Sequence, residues 1–288
     1  MIICKTREEL KTALADLDGS VALVMTMGAL HDGHLSLVRA ARSAADHVVV
    51  SIYVNPLQFA PGEDYETYPR DLDADVATLK SIEADPEGNG RSVDVVFAPS
   101  DDEMYPRVPL VRIDPGPVAK IFEGKTRPTH FAGVLQVVHK VFNLVKPDVA
   151  FFGQKDAQQL ALIRTMVTDL DMPLEIRAVP IKRGEDGLAL SSRNGYLSPE
   201  ERQQALALSA SLRAGAEAAA AGASQEKVVS RVRELLEAAP GVRVDYVTLV
   251  HPDTFVEFAP GDAGEGLIAL AAWVGPTRLI DNWEVQIG

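Results

Sequence analysis

Short apolar runs alternate with helix-patterned ones along the first two thirds of the chain, and this alternation narrows the choice of fold more than any other feature. Val21–Met25, Val48–Val54, Val93–Ala98, Val149–Phe152 and Leu174–Ile181 read as strands, the first of them short, apolar and partly β-branched, as expected of a strand buried on both faces. Between them His34–Ala45, Asp71–Glu83, Phe131–Val145 and Ala157–Asp171 carry helical spacing. Such alternation predicts an α/β fold with a parallel sheet, whose ligands bind outside the carboxyl ends of the strands. After Ile181 the texture changes to a glycine-containing loop (Lys182 to Asn194), two Ala- and Glu-rich helices (Pro199–Ala221 and Gln225–Ala238) and strand-like Val242–Val250 and Leu267–Val274. Two domains are therefore expected, residues 1–180 around the parallel sheet and residues 181–288 as a smaller α+β domain. The alanine-rich stretch Ala205–Ala221 is weakly apolar, which predicts a solvated, thinly packed face. Pro86–Gly90 reads as a surface loop.

At 288 residues with 47% hydrophobic content, the chain can bury a substantial core. Its 41 acidic residues outnumber 28 basic ones, and no dense Lys/Arg run offsets the net charge of −13, so nucleic acid is not expected as a partner. One cysteine, Cys4, leaves no internal disulfide and fits a reducing compartment. The opening MIICKTREEL has no basic region leading into an apolar core, and no run of about eighteen apolar residues occurs, so a cytoplasmic protein without a membrane partner is expected.

Chemistry concentrates where the first strand of the alternation ends. Thr26-Met27-Gly28-Ala29-Leu30-His31-Asp32-Gly33-His34 sits in a strand-to-helix turn, with Leu35, Leu37, Val38 and Ala41 taking up helical spacing behind it. A helix N-terminus offers unpaired N–H groups and a positive dipole end, and Gly28 and Gly33 allow close backbone approach. Imidazoles placed there can stabilise charge developing on phosphate. A histidine pair with three-residue spacing also serves purely structural ends; the glycines and the strand-turn-helix context favour a phosphate site.

Four other clusters fall near strand ends or open the second domain. Asn55-Pro56-Leu57-Gln58-Phe59 either reads a hydroxyl and a carboxylate through two amides or is a turn capped by its own asparagine. Asp71, Asp73 and Asp75 complement a helix dipole, while Asp75 is also a candidate Mg²⁺ ligand, since magnesium often takes only one or two protein carboxylates. Phe151-Phe152-Gly153-Gln154-Lys155-Asp156 puts a lysine and a carboxylate at a helix start, as a phosphate clamp or as an exposed cap. Asp186-Gly187-Leu188-Ala189-Leu190-Ser191-Ser192-Arg193-Asn194 suits a loop closing over a triphosphate, though such a loop is also ordinary. His47, His139 and His251 read as structural, and His130, at a helix start, stays open. Dinucleotide, P-loop, serine-hydrolase and cysteine-metal motifs are all missing from the sequence.

Taken together, the H-x-G-H turn, the N-P-x-Q-F strand end, the F-F-G-x-K-D helix start and the D-G-L-A-x-S-S-R-N loop resemble the pantoate–β-alanine ligase family of the H-x-G-H nucleotidyltransferase superfamily, in order and over nearly the full chain. The resemblance implies a Rossmann-like N-terminal domain, a C-terminal lid domain, and a cytoplasmic homodimer formed through the N-terminal domain. It also implies a reaction: ATP and pantoate, with Mg²⁺, form pantoyl adenylate and pyrophosphate, and β-alanine then gives pantothenate and AMP. Carried over to this sequence, ATP would meet Met27, Gly28, His31, Gly33, His34, Gly153, Lys155, Asp156, Lys182, Leu190, Ser191, Ser192 and Arg193. Of these, His31, His34, Lys155, Ser191, Ser192 and Arg193 would be catalytic. Pantoate would meet Gln58, Gln159, Asn55 and Met27. His130 would lie near the β-alanine or phosphate region, Tyr68 in a flap over the pocket, and Asp75 on the metal. The sequence departs from the family at Met25, where proline is usual, and at Leu190, where methionine is common.

Two rivals meet specific objections. A transferase acting on a phosphorylated acceptor would need cations for that phosphate, where the paired glutamines Gln58 and Gln159 suit a neutral hydroxylated carboxylate. A nucleotide sensor would not need the transition-state donors His31, His34, Lys155 and Arg193.

Overall fold

Nine residues of the three central strands, Ala22–Val24, Val48–Val50 and Val95–Phe97, have no exposed surface, which is the burial expected of strands covered on both faces. The computed structural model describes residues 1–84 and 93–288, so the loop expected at Pro86–Gly90 lies outside the described residues. Two units partition the chain: Met1–Gly153 with Leu162–Val179, and Gln154–Ala161 with Pro180–Gly288.

In the first unit the elements run β1 (Ile2–Cys4), α1 (Arg7–Ala15), β2 (Val21–Thr26), α2 (Asp32–Ala44), β3 (His47–Ile52), α3 (Leu72–Lys80) and β4 (Val95–Phe97). They continue with α4 (Asp101–Met104), α5 (Glu123–Thr126), α6 (His130–Val145), β5 (Val149–Gly153), α7 (Ala157–Asp169, whose first turn sorts with the second unit) and β6 (Glu175–Val179). The six strands form one sheet in the order β1-β4-β3-β2-β5-β6 with every ladder parallel. Strand order reverses at β2, which lies between β3 and β5, and a doubly wound sheet opens its ligand crevice at such a reversal. Leu35, Leu37, Val38 and Ala41 of α2 pack on Ala22, Val24, Val48 and Val50.

Two boundaries differ from expectation. Helix α3 ends at Lys80 and tightens into a 3-10 turn over Ser81–Ala84 rather than continuing regularly to Glu83. Helix α1 was not among the expected elements, although its signal is local: Thr6 and Glu9 form a reciprocal capping box.

The second unit holds α8 (Pro199–Ala220), α9 (Gln225–Glu237) and an antiparallel sheet β7-β8-β9 (Val242–Val250, Gly264–Val274, Thr277–Ile287). Helix α8 starts at a capping box between Ser198 and Glu201, with Pro199 in its first turn. Its face is not thinly packed as expected: Ala205, Leu208, Leu212 and Ala219 are buried in the core with Val232 of α9 and Ile268 and Leu270 of β8. Small residues permit this, since a Cβ on Gly215 would run into Val232. Strand β9 was also unexpected, because Arg278, Asp281, Asn282, Glu284 and Gln286 break up its apolar pattern.

Candidate active site

At the carboxyl end of β2 the chain reverses through two left-handed residues, Gly28 (φ +84°) and Ala29 (φ +51°). The second is a real cost, because an L side chain in that region loses about 1–2 kcal/mol. A buried carboxylate offsets it: Asp75, only 4% exposed on α3, accepts the Leu30 amide at 2.8 Å on Oδ1 and the Ala29 amide at 3.2 Å on Oδ2. Burial pushes the Asp75 carboxyl above its usual range, against the pull of those two amides. The Thr26 hydroxyl accepts the Gly28 amide at 3.2 Å and donates to the Ser51 carbonyl at 3.0 Å.

Helix α2 then begins on a capping box built from the two histidines. His31 is the N-cap and accepts the Gly33 amide on Nδ1 at 3.1 Å; His34 Nδ1 accepts the His31 amide at 3.3 Å. Their ring centroids lie 4.1 Å apart. A neutral imidazole accepting on Nδ1 carries its proton on Nε2, so the tautomer inferred from this network makes each ring an N–H donor at the start of a thirteen-residue helix. Chemically this is an arrangement suited to an anion.

The Asn55–Gln58 turn lies beside it. Gln58 Nε2 donates to Met27 Sδ at 3.0 Å, and a thioether is a weak acceptor that a ligand oxygen would displace at little cost. Asn55 is hydrogen-bonded at both ends of its amide. Its Oδ1 accepts from the Leu57 amide and the Tyr105 hydroxyl, and its Nδ2 donates to Gln58 Oε1 and the Gly133 carbonyl. With 1% exposure and both amide ends engaged inside the fold, Asn55 caps its turn and aligns Gln58. Gly133 on α6 makes the close packing possible, since a Cβ there would strike the backbone of Leu57 and Gln58.

His130 is held similarly. Arg127 Nη1 lies 3.2 Å from His130 Nε2, and His130 Nδ1 lies 3.1 Å from the Gln58 carbonyl, which makes Nδ1 the donor. Arg127 is in turn clamped by both oxygens of Glu63, at 3.0 and 2.6 Å. Burial would raise the Glu63 carboxyl, but the Arg127 bonds and charge hold it below its usual range. The sequence reading missed Glu63, Arg127 and Gly133, and a 64-residue separation between the first two leaves no local signal. Tyr68, implied as part of a flap, is 7% exposed with its ring edge-on to Phe59 at 6.2 Å. A cavity of about 400 Å³ opens beside Met27, lined also by Tyr53, Tyr65, Arg70 and Asp101.

In the second unit, the Gln154–Asp156 turn carrying Lys155 and Asp156 is pinned by a buried residue of β9. Asn282 Nδ2 donates to the carbonyls of Gln154 at 2.9 Å and Lys155 at 3.0 Å. Beside it Arg183 pairs with both oxygens of Asp281, at 2.7 and 2.9 Å, and reaches the Asn282 carbonyl. Within the Lys182–Asn194 loop, residues 182–190 are tied together as a hairpin. Gly184 and Leu190 donate to the Leu188 and Lys182 carbonyls, Gly187 turns at φ +87°, and Asp186 binds the Leu188 amide and Arg202. Ser191 caps the short turn Ser192–Tyr196 by accepting the Arg193 amide at 3.3 Å. Gln159 is half-buried in the first turn of α7, and Lys182 is exposed. Gly153 ends β5 with open space where a Cβ would stand.

Among the described residues no cluster of three or more His, Cys, Asp or Glu side chains is placed to hold a metal ion. Asp75, the implied metal contact, already has an amide on each oxygen. Among the described residues, then, no ready-made cage of protein donors for Mg²⁺ is present.

Comparison with known proteins adds an independent line. The family model described as pantoate-beta-alanine ligase matches residues 2–284. Pantothenate synthetase of Thermobifida fusca is 51% identical, covering 98% of this chain and 94% of the relative, and that of Acidothermus cellulolyticus is 52% identical over 99% and 92%. Among solved structures, pantothenate synthetase from Thermus thermophilus superposes with a TM-score of 0.90 at 46% identity, covering 99% of this chain and 100% of the other. The enzyme from Francisella tularensis, solved with beta-gamma ATP and beta-alanine, gives 0.78 at 35% identity, over 98% and 97%.

Proposed function

The chain belongs to the pantoate–β-alanine ligase family, and on that footing we propose how its residues carry the reaction. The enzyme condenses pantoate with β-alanine to pantothenate, with ATP as co-substrate. A carboxylate is a poor acyl donor, so the route we propose activates it first. A pantoate carboxylate oxygen attacks the α-phosphorus of ATP and pyrophosphate leaves, giving pantoyl adenylate; the β-alanine amine then attacks the acyl carbon, AMP departs and the nitrogen loses a proton. Such chemistry needs positioning and charge stabilisation more than a protein nucleophile.

The observation that carries this reading is the histidine capping box at the carboxyl end of β2, with Gln58 and Met27 beside it. In the first unit, His31, His34 and the backbone at Met27, Gly28 and Gly33 serve the ATP phosphates, with Gly153 at the strand end. Gln58 and Met27 serve pantoate. His130 acts through the Gln58 backbone. In the second unit, Lys155, Ser191, Ser192 and Arg193 serve as phosphate ligands, Asp156 as the ribose contact, Lys182 and Leu190 as further nucleotide contacts, and Gln159 as a second amide for pantoate. Mg²⁺ would travel on the nucleotide and neutralise phosphate charge, keeping most of its waters. No described helix is long and apolar enough to cross a membrane, and the buried thiol of Cys4 suits the cytoplasm as the enzyme's location. A homodimer through the first unit is supported by Val108, Leu110 and Val111, exposed at 71%, 82% and 82%.

Rapid-quench measurement of pyrophosphate tests the route. With ATP, Mg²⁺ and pantoate alone, one equivalent per site is expected, followed by steady turnover when β-alanine is added. Release that requires β-alanine from the outset would exclude a preformed adenylate, and release only with a phosphorylated acceptor would exclude pantoate activation altogether.

A further inference from the structure

We infer that Asp75 is a positioning residue for the histidine turn, and that its job is to hold the left-handed Gly28–Ala29 backbone from which His31 and His34 are set. The inference rests on the reading of those histidines as the phosphate site. Helix α3 does not need Asp75 for its own start: Asp71 is the N-cap and accepts the Ala74 amide at 3.0 Å. The Asp75 carboxylate instead spans two consecutive amides of a segment some 45 residues earlier. Its partners among the described residues include no cation. A buried carboxylate is costly unless hydrogen-bonded, so the two amide bonds are what allows it to stand there. The fit is close: a Cβ on Gly28 would sit 2.7 Å from Asp75 Oδ2, so glycine leaves room for the carboxylate as well as for the turn. One residue beyond Leu30 the backbone reaches the His31 N-cap, so a shift of the Ala29 and Leu30 amides is passed directly to the ring that accepts the Gly33 amide.

Asp75→Asn in the full chain tests this. The amide keeps one acceptor but turns an NH₂ group toward the second N–H, which loosens the turn without emptying the space. Expected is a fall in kcat for pyrophosphate release of roughly 10- to 100-fold with KM for ATP changed by no more than about threefold, as befits a lost transition-state alignment. About tenfold more Mg²⁺ should not restore it, since magnesium keeps to the nucleotide phosphates. Wild-type kcat with only a lowered melting temperature would reduce Asp75 to a structural residue and overturn the inference, and so would recovery of kcat on raising Mg²⁺, which would make it a metal ligand. If Asp75→Asn does not fold, Asp75→Glu decides: it keeps the charge but its longer side chain misplaces the two oxygens from the Ala29 and Leu30 amides, so the same loss of kcat is expected and unchanged kcat overturns the proposal. His34→Ala, run in parallel, separates the two readings. If that variant turns over normally the phosphate site itself is wrong; if it fails while Asp75→Asn does not, only the role of Asp75 is wrong.

Discussion

In the first unit the two ends of the Thr26–His34 turn are closed by their own side chains, Thr26 taking the Gly28 amide, His31 the Gly33 amide and His34 the His31 amide, while Asp75 holds the Ala29 and Leu30 amides between them. In the second unit the turn with Lys155 is closed from far away, by Asn282, 127 residues on, and the hairpin beside it is rooted by an Arg183–Asp281 pair spanning 98 residues. The difference teaches that the side chains proposed as phosphate ligands in each unit are oriented by two routes. In the histidine turn the groups proposed to act are themselves the capping groups, so proposed function and local stability sit in the same atoms. In the second unit the groups proposed to act are carried on a scaffold whose residues need not touch a ligand at all.

The sharpest way to break this contrast is Arg183→Leu. It leaves Asp281, whose side chain is 1% exposed, as an unpaired buried charge, and removal of one partner from such a pair costs about 3–5 kcal/mol. A large drop in melting temperature is expected, and an unchanged one would mean that the scaffold does not depend on the pair. His34→Ala should do the reverse, lowering pyrophosphate release roughly 10²-fold as for a lost charge-stabilising donor. Its stability cost should stay near the ~1 kcal/mol of a helix cap. A melting-temperature loss as large as that of Arg183→Leu would erase the contrast.

Asn282→Ala sharpens it further. Two backbone carbonyls lose their donor, for about 1–3 kcal/mol, and Lys155 loses its anchor, so stability and pyrophosphate release should fall together in paired calorimetric and kinetic runs. The smallest effect concerns acid. Burial pushes the Asp186 carboxyl up, but the Leu188 amide and Arg202 hold it below its usual value of 3.8. A carboxyl lowered by folding adds stability above that value and loses it as pH falls through the folded one. The melting-temperature advantage of wild type over Asp186→Asn should therefore be present at neutral pH and shrink on acidification. An advantage that grew in acid would contradict the pairing with Arg202.

What was legible in the sequence follows the same division. The strand-helix alternation, the H-x-G-H turn and the Asn-Pro turn were readable because burial periodicity and capping act over two to four residues. Of the two alternatives for Asn55, capping prevails because Tyr105 and Gly133, 50 and 78 residues away, take up the rest of its amide. Strand β9 was not readable: Asp281 and Asn282 look like surface residues until Arg183 and two distant carbonyls are brought to them.

By itself, then, the sequence determined a parallel α/β sheet with a histidine-capped turn at a strand end and a separate α+β region. Each of these leaves a local signature, in the spacing of apolar residues or in a cap, that near neighbours in the chain record. Only the tertiary structure decided that Asp75 serves the Ala29 and Leu30 amides, that Gly133 leaves room for the Gln58 turn, and that Asn282 holds the backbone of Lys155. Those outcomes depend on which remote backbone atoms a side chain meets once the core has packed, and no local spacing of residue types records that.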